Sequence, residues 1–308
     1  MNNFNDTIHG MQPCPEVPFT ALNTYPPRLF FSGKAFGTLF VLLHFATNKK
    51  NTKERRTIMA EENLKELLSR RTIRRYTTQE IKQEDLEKIL QAGIRASNCG
   101  NMQLYSIIVT RQKERKEALC KLHFNQRQVS EAAVVLTVCA DVNRFHKYCE
   151  LRGTVAGYNN FLWFQVSTVD ATICSQAMVT AAESMGLGAC FMGTVTYMAQ
   201  PIAELLALPK HVIPVTTITL GYPAECPPLT ERLPLEAVVH EEQYQDYDAR
   251  RLETLYSDFE KLPQIQGYIK ESKQENLAKV FTEVRYTKED ALKFSKSYMD
   301  FAKQQDMM

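Results

Sequence analysis

The sequence predicts an α+β fold, and two kinds of pattern carry this prediction. Short apolar runs rich in β-branched residues are typical of buried strands, and they occupy residues 105–110, 133–140, 189–193 and 213–221. Between and after these runs, apolar residues recur every three or four positions, as on the buried face of a helix. Since 44% of the 308 residues are hydrophobic, the chain can bury the core of one large domain or two small ones.

The helices are predicted from this spacing in chain order. Two precede the first strand, and their apolar positions are Leu64, Leu67, Leu68, Leu86, Ile89, Leu90 and Ile94. A central, closely packed helix is predicted between Val166 and Met185, and Gly186 and Gly188 end it. Its apolar positions fall every four residues, at Val169, Ile173, Ala177 and Ala181. A short helix begins at Pro201, because proline fits the first helical turn.

After about residue 245 the sequence predicts charged helices without strands. The last helix, residues 287–304, begins with a capping-box pattern at Thr287 and Asp290. Although polar, it carries Leu292, Phe294, Tyr298, Met299 and Phe301. Such a helix needs a surface to lie against, either its own domain or a partner subunit, and its aromatic content slightly favours the partner.

The first 58 residues differ from the rest, with five prolines and a basic tail. Their apolar run, residues 36–46, is too short to span a bilayer. We therefore expect residues 1–58 to be disordered or an over-extended reading frame, with translation starting at Met59. Residues 59–245 would then form the domain, and residues 246–308 its helical extension.

Charge and cysteine usage exclude several classes of protein. Residues 1–58 hold seven of the 37 Lys and Arg and three of the 35 Asp and Glu, so the remainder carries 30 basic against 32 acidic residues. A general nucleic-acid binder is not expected from this balance. The eight cysteines lack C-x-x-C spacing and lie largely in apolar runs, which indicates buried thiols in a reducing cytoplasm. The six histidines lack metal-ligand spacing, so no metal is predicted. No membrane partner is predicted either, because the apolar run of residues 36–46 is too short to span a bilayer.

The densest cluster of polar side chains is the arginine run, residues 69–76, which holds four arginines and a threonine. Guanidinium groups bind phosphate through paired, charge-assisted hydrogen bonds. In an extended segment Arg70, Thr72 and Arg74 would lie on one side while Ile73 packs on the other. The run alone nevertheless favours the simpler interpretation of a solvated basic face.

Three further clusters follow. The amide-rich loop of residues 97–103 could grip the edge of a heteroaromatic ring, or could equally be an ordinary turn. Gly193 ends an apolar strand and would let a backbone N–H approach a ligand, although a structural turn is the stronger alternative. Prolines stiffen residues 227–234, which present Arg232, and a lone loop arginine carries little weight.

An aromatic segment, residues 145–165, precedes the central helix and includes Tyr148, Tyr158, Phe161, Trp163 and Phe164. It could roof a bound ligand, but core or subunit packing is the favoured interpretation.

The order and spacing of these clusters resemble the nitroreductase family of FMN-dependent oxidoreductases, in particular its A-type nitroreductase and flavin reductase branch. The resemblance covers about Leu64 to Tyr244. It rests on Arg70-Arg71-Thr72-Ile73-Arg74 with Tyr76, residues 97–103, Asn125-Gln126, residues 170–188, and Gly221-Tyr222-Pro223 followed by Arg232-Leu233-Pro234.

The resemblance implies a central mixed β-sheet flanked by helices, in an intertwined homodimer with two FMN sites at its interface. Asn98 and Gly100 match a loop that comes from the other subunit. The implied activity is a ping-pong, two-electron hydride transfer from NADPH or NADH to nitroaromatics, quinones or flavins. Other flavin chemistry on this fold, such as reductive dehalogenation or azoline oxidation, and a non-catalytic flavin-binding role remain alternatives.

For the FMN phosphate and ribityl chain, the resemblance implies a cradle of Arg70, Arg71, Thr72 and Arg232. The branch usually has a lysine where this chain has Thr230, so Arg71 or Arg75 would supply the missing charge. The NADPH 2′-phosphate is expected near Lys270, Lys273 and Lys279, which gives a lean toward NADPH.

For the flavin ring, the resemblance places Arg74 and Gln126 near the pyrimidine end, and Gly193 and Thr194 opposite N5. A cation near N1 and O2 stabilises the reduced ring, so Arg74 would tune the flavin. No protein acid, base or nucleophile is then required.

Overall fold

The computed structural model describes residue 64 and residues 66–308. Within the first predicted helix, Leu64 and residues 66–68 are helical. The expectations about residues 1–58 and a start at Met59 lie outside the described residues.

In the described residues, four strands form one sheet in the order β1-β2-β4-β3: β1 Tyr105–Thr110, β2 Val134–Asp141, β3 Gly188–Met192 and β4 Val212–Gly221. The two central strands are the apolar runs expected from the sequence, and every residue of β2 is buried. Each neighbouring pair is antiparallel. The α+β class is therefore confirmed, but within the described residues the sheet is antiparallel rather than mixed. The helical connection after β1 returns the chain to the same end of the sheet, where Thr110 pairs with Val135.

From residue 83 onward, the described chain contains ten α-helices: α1 Gln83–Ile94, α2 Lys113–Leu122, α3 Arg127–Glu131, α4 Asn143–Leu151, α5 Phe161–Ser184, α6 Ala199–Leu205, α7 Ala249–Lys261, α8 Pro263–Glu271, α9 Leu277–Lys279 and α10 Lys288–Gln304. A π-helical segment, Val280–Arg285, continues α9. Described residues beyond 245 contain helices but no strand, as predicted. None of the described helices has the length and apolar character needed to cross a membrane.

The central helix α5 packs on the sheet together with α1. The helices approach so closely that a Cβ added to Gly93 would lie 2.4 Å from Met178 Cγ. The buried face of α5 carries Ala171, Cys174, Met178 and Ala182. The predicted stripe is thus not the core face, because Val169 and Ile173 are 47% and 41% exposed. An α-helix with apolar residues on all sides does not reveal from spacing alone which face meets the sheet.

The end of α10 docks on the chain's own domain. Phe301, Ala302 and Met307 are buried in a cluster that also contains Leu104 and Ile213. At its other end Thr287 Oγ1 accepts a hydrogen bond of 3.2 Å from the Asp290 amide, as the capping pattern predicts. The last turns of this helix therefore pack against the chain's own domain, the first of the two alternatives that the sequence left open.

Three rings of the aromatic segment pack beside the same cluster. The Tyr158 ring lies edge-on to Phe145 and Trp163, with centroids 5.3 and 4.4 Å away. For these side chains packing is the observed role, whereas Tyr148 and Phe161 are exposed.

Candidate functional site

The arginine run lies beside β3, an edge strand of the sheet. The Ile73 amide donates to the Ala189 carbonyl at 3.0 Å, and Tyr76 forms an isolated antiparallel bridge with Pro223. Ile73 and Tyr76 are buried, whereas Arg74 is exposed. The predicted packing side is therefore present, while the binding role of the other side stays a prediction.

Two glycines admit these buried side chains. A Cβ added to Gly188 would lie 2.6 Å from Ile73 Cβ, and one added to Gly221 would lie 2.7 Å from Tyr76 Cδ1. Both distances are too short for real carbon atoms, so each position requires glycine for close packing. Gly188, the first residue of β3, therefore packs directly against Ile73 of the arginine run. Gly186 follows the end of α5 and has a φ of +78°, which favours glycine.

A cavity of about 390 Å³ opens where the run meets α3. It is lined by Thr72, Arg74, Arg75, Arg127, Gln128, Glu131, Glu225 and Pro227. Two of the residues predicted for the site, Thr72 and Arg74, are among them. Arg75, one of the two candidates for the charge missing at Thr230, is also there. The cavity offers three guanidinium groups to an anionic or polar ligand.

The two carboxylates of the cavity are already engaged. Glu225 Oε1 accepts hydrogen bonds from the backbone amides of Arg74 and Arg75, at 2.6 and 3.0 Å. Glu131 forms an ion pair of 2.6 Å with Arg127, one turn away on α3. Glu225 therefore fixes the backbone of the run at the point where the two arginine side chains line the cavity.

Gly193 and Thr194 begin a short 3-10 turn directly after β3. A Cβ added to Gly193 would meet no atom within 4 Å, so a ligand can approach the backbone there. The Thr194 hydroxyl lies 2.7 Å from His123 Nδ1. His123 is fully buried, and burial lowers its pKa to about 4, so the ring is neutral at pH 7.

Gln126 connects His123 to the cavity through two hydrogen bonds. Its amide donates to the His123 carbonyl at 3.2 Å, and its side-chain oxygen accepts a hydrogen bond of 3.0 Å from Gln128, which lines the cavity. The resemblance predicts that Gln126 contacts the flavin, whereas in this structure Gln128 lines the cavity and Gln126 holds its side chain by a hydrogen bond. The first-turn neighbours Arg127 and Gln128 could have been found from the position of Gln126 just before α3.

Three predicted phosphate ligands do not line this cavity. Arg70 Nε lies 3.2 Å from Glu183 Oε1, and both side chains are 21% exposed. Burial raises the pKa of Glu183 to about 7 despite the attraction of Arg70. Arg71 donates to the Ser69 carbonyl at 2.9 Å. Arg232 donates within its own loop, to the Thr230 carbonyl at 3.1 Å.

Asn98 and Gly100 also lie away from the cavity. They belong to a turn whose Cys99 amide donates to Asp170 on α5 at 2.9 Å. Asn98 Oδ1 accepts from the Gln103 amide at 3.1 Å, and Gly100 has a φ of +56°, which favours glycine. The contribution of this loop to a partner's site stays a prediction.

The lysines expected to read a 2′-phosphate lie on the C-terminal helices. Lys279 is paired with Glu275 at 2.8 Å, while Lys270 and Lys273 stand at the end of α8. Their role also stays a prediction. Within the described residues, no group of three or more His, Cys, Asp or Glu is arranged to hold a metal ion.

Comparison with known proteins adds to this geometry. Residues 67–222 match the model of the nitroreductase family. An oxygen-insensitive NADPH nitroreductase from Salmonella typhimurium is 38% identical over 186 residues, which cover 60% of this chain and 76% of that protein. An NAD(P)H FMN reductase from Bacillus subtilis is 38% identical over 189 residues, covering 61% and 76%.

Solved structures agree on the fold. A protein from Bacteroides fragilis superposes with a TM-score of 0.78 at 45% identity, covering 79% of this chain and 99% of that chain. A nitroreductase from Bacillus subtilis gives a TM-score of 0.72 at 27% identity, covering 79% and 98%.

Proposed function

This chain belongs to the nitroreductase family, and we propose that it is an FMN-dependent NAD(P)H oxidoreductase acting on small electron acceptors such as nitroaromatics, quinones or flavins. The observation that carries the proposal is the cavity between the arginine run and α3. Its cations, amide and hydroxyl suit a phosphorylated, ring-bearing cofactor. The named activities of the relatives from Salmonella and Bacillus support the same chemistry.

The residues present fit FMN. The buried Arg71 Nε has no hydrogen-bond partner in the described part of the chain, and such a donor suits a phosphate oxygen. Thr72 and Arg75 line the cavity and would hold the phosphate and ribityl end together with the adjacent Arg71, which is outside the lining, and Arg74 would stand near the pyrimidine end. Bound FMN would supply the redox chemistry, taking two electrons as a hydride from NAD(P)H and giving them to the acceptor in a ping-pong cycle. The protein then contributes position and charge.

Homodimerisation is part of the proposal, and an exposed apolar face of α5 supports it. Phe161 and Leu162 are 58% and 65% exposed, and they continue along α5 to the exposed Val169 and Ile173. Faces of this kind mark protein contacts in soluble proteins. The loop of Asn98 and Gly100, which contacts α5 through Asp170, would complete the site of the partner.

The test begins with the purified protein, reconstituted with FMN and assayed without oxygen. We expect flavin absorbance, and steady oxidation of NADPH or NADH with a nitrofuran or menadione as acceptor. Comparing the oxidation rates of NADPH and NADH in the same panel tests the expected preference for NADPH. Absence of flavin after reconstitution would contradict the proposal, and bound flavin without turnover would favour a non-catalytic flavin-binding protein.

Oligomeric state is tested separately by light scattering after size-exclusion chromatography. We expect a dimer for the wild type and a folded monomer with weakened FMN binding for Ile173→Glu. A wild-type monomer that binds FMN fully would remove the shared site from the proposal.

A further inference from the structure

The pair of His123 and Thr194 is linked to the cavity of the proposed flavin site through Gln126, which bonds to both His123 and Gln128. We propose that His123 donates a hydrogen bond from Nδ1 to Thr194 Oγ1, which leaves the Thr194 hydroxyl hydrogen to donate to an acceptor atom on the edge of the flavin ring. Thr194 would then be a direct ligand and His123 a positioning residue. This inference rests on the proposed function.

The first step is the protonation state of the ring. His123 has no exposed surface, and its neutral imidazole carries a proton on one nitrogen only. Nδ1 lies 2.7 Å from Thr194 Oγ1, while Nε2 is buried without a hydrogen-bond partner among the described residues. A proton on Nε2 would leave a buried N–H unpaired, and such donors are rarer in proteins than unpaired acceptors. The proton is therefore assigned to Nδ1.

The second step concerns the hydroxyl of Thr194. With His123 as donor, Thr194 Oγ1 accepts, and its own hydrogen is available for another acceptor. No further partner of Oγ1 is found in the part of the chain that the structure describes. Thr194 is only half-buried, and its neighbour Gly193 adjoins open space. The Thr194 hydroxyl hydrogen therefore lies next to the Gly193 backbone, which a ligand can approach.

The third step is the turn that holds His123 in place. Phe124 and Asn125 have φ angles of +56° and +58°, which are uncommon for residues other than glycine. Such conformations persist where surrounding contacts determine them, and they concentrate at functional sites. Here the turn is closed by the Asn125 amide donating to the Cys120 carbonyl at 2.9 Å and by Gln126 bonding to His123. One strained turn therefore positions both His123 and the start of α3.

The test uses the holoprotein, four single variants and one double variant. Thr194→Val removes the hydroxyl at nearly constant volume and should weaken FMN binding about tenfold, the size of one good hydrogen bond. Thr194→Ser keeps the hydroxyl and should stay within about twofold of the wild type. His123→Leu should weaken binding in the same direction, while His123→Asn, whose amide can replace Nδ1–H, should restore it. In the double variant with Leu and Val, the loss should not exceed that of Thr194→Val alone.

Nitrogen-15 NMR of the ring gives a readout that does not depend on activity. We expect the proton of His123 on Nδ1, in the presence and absence of FMN. A proton on Nε2, or equal FMN affinity for the wild type and Thr194→Val, overturns the inference while leaving the proposed function intact. A wild type that binds no FMN overturns both. If His123→Leu does not fold, the Thr194 variants and the NMR spectrum still decide.

Discussion

The two ends of the arginine run have the same chemistry but different surroundings. Arg70 is mostly buried against Glu183, whereas Arg74 is exposed and lines the cavity. A guanidinium opposite a partly buried carboxylate is committed to that partner, because separating them would leave a charge in a poorly solvated place. The comparison shows that position along one short segment divides ion-paired from cavity-lining arginines. Four variants can break or sharpen it.

The largest effect is expected from Gly188→Ala, which removes the support of the whole run. Its new Cβ would lie 2.6 Å from Ile73 Cβ, and neither backbone can move easily. We expect a loss of about 3 kcal/mol in the free energy of unfolding, together with weakened FMN binding. Denaturant unfolding measures the first, and flavin titration the second. Gly267→Ala is the control, because a Cβ there meets nothing within 4 Å and alanine favours a helix; a similar loss in both variants would contradict the prediction.

Arg74→Ala should act on the ligand and spare the fold. Loss of a charged hydrogen bond is expected to weaken FMN binding by about 2 kcal/mol, or roughly 30-fold, and to lower the two-electron potential of the flavin. Titration and redox potentiometry measure these changes. The matched control is Arg115→Ala, an exposed arginine on α2 that does not line the cavity. Equal FMN affinity in the two variants would remove Arg74 from the site.

Arg70→Met should do the reverse, reducing stability with little direct effect on the ligand. The pKa of Glu183 is raised to about 7, so its contribution to stability is present below pH 4.5 and is lost as the pH rises through 7. Without Arg70 the pKa rises further, and the loss above pH 7 grows by on the order of 1 kcal/mol after solvent screening. Unfolding at pH 5 and pH 8 measures this difference. Glu183→Gln is the control and should flatten the pH dependence; an unchanged slope would contradict the role of this carboxyl.

The smallest effect is expected from Glu225→Ala. This change removes the acceptor for the amides of Arg74 and Arg75, and should weaken FMN binding by about 0.5–1 kcal/mol through a looser backbone. Glu225→Gln retains an acceptor oxygen and should lie between this variant and the wild type. Tighter binding in either variant would instead indicate that Glu225 repels the phosphate.

How far the sequence predicts the molecule depends on the range of the contacts involved. The strands were predicted to within one or two residues, because β2 and β4 are buried on both faces and read as continuous apolar runs. The buried face of α5 was not predicted, since this helix carries apolar residues on all sides. Thr72 and Arg74 line the cavity. Arg70, Arg71 and Arg232 instead make local or distant bonds that no motif reveals.

Long-range partners of the site were missed for a related reason. Glu225 reaches Arg74 across 151 positions, and His123 reaches Thr194 across 71. Neither side chain belongs to a recognisable spacing, and a single histidine near a helix end gave no signal of its own. Only the folded arrangement shows that one turn touches both the cavity and the end of β3.

The bond between Ile73 and Ala189 has a consequence for solubility. β3 is at the edge of the sheet, where unpaired backbone groups can template pairing with another molecule. The arginine run occupies part of this edge and adds the exposed Arg74 and Arg75, and charged side chains at an edge discourage intermolecular strand addition. Variants that detach the run should therefore aggregate during expression as well as lose their ligand, so soluble yield reports on the integrity of the same segment.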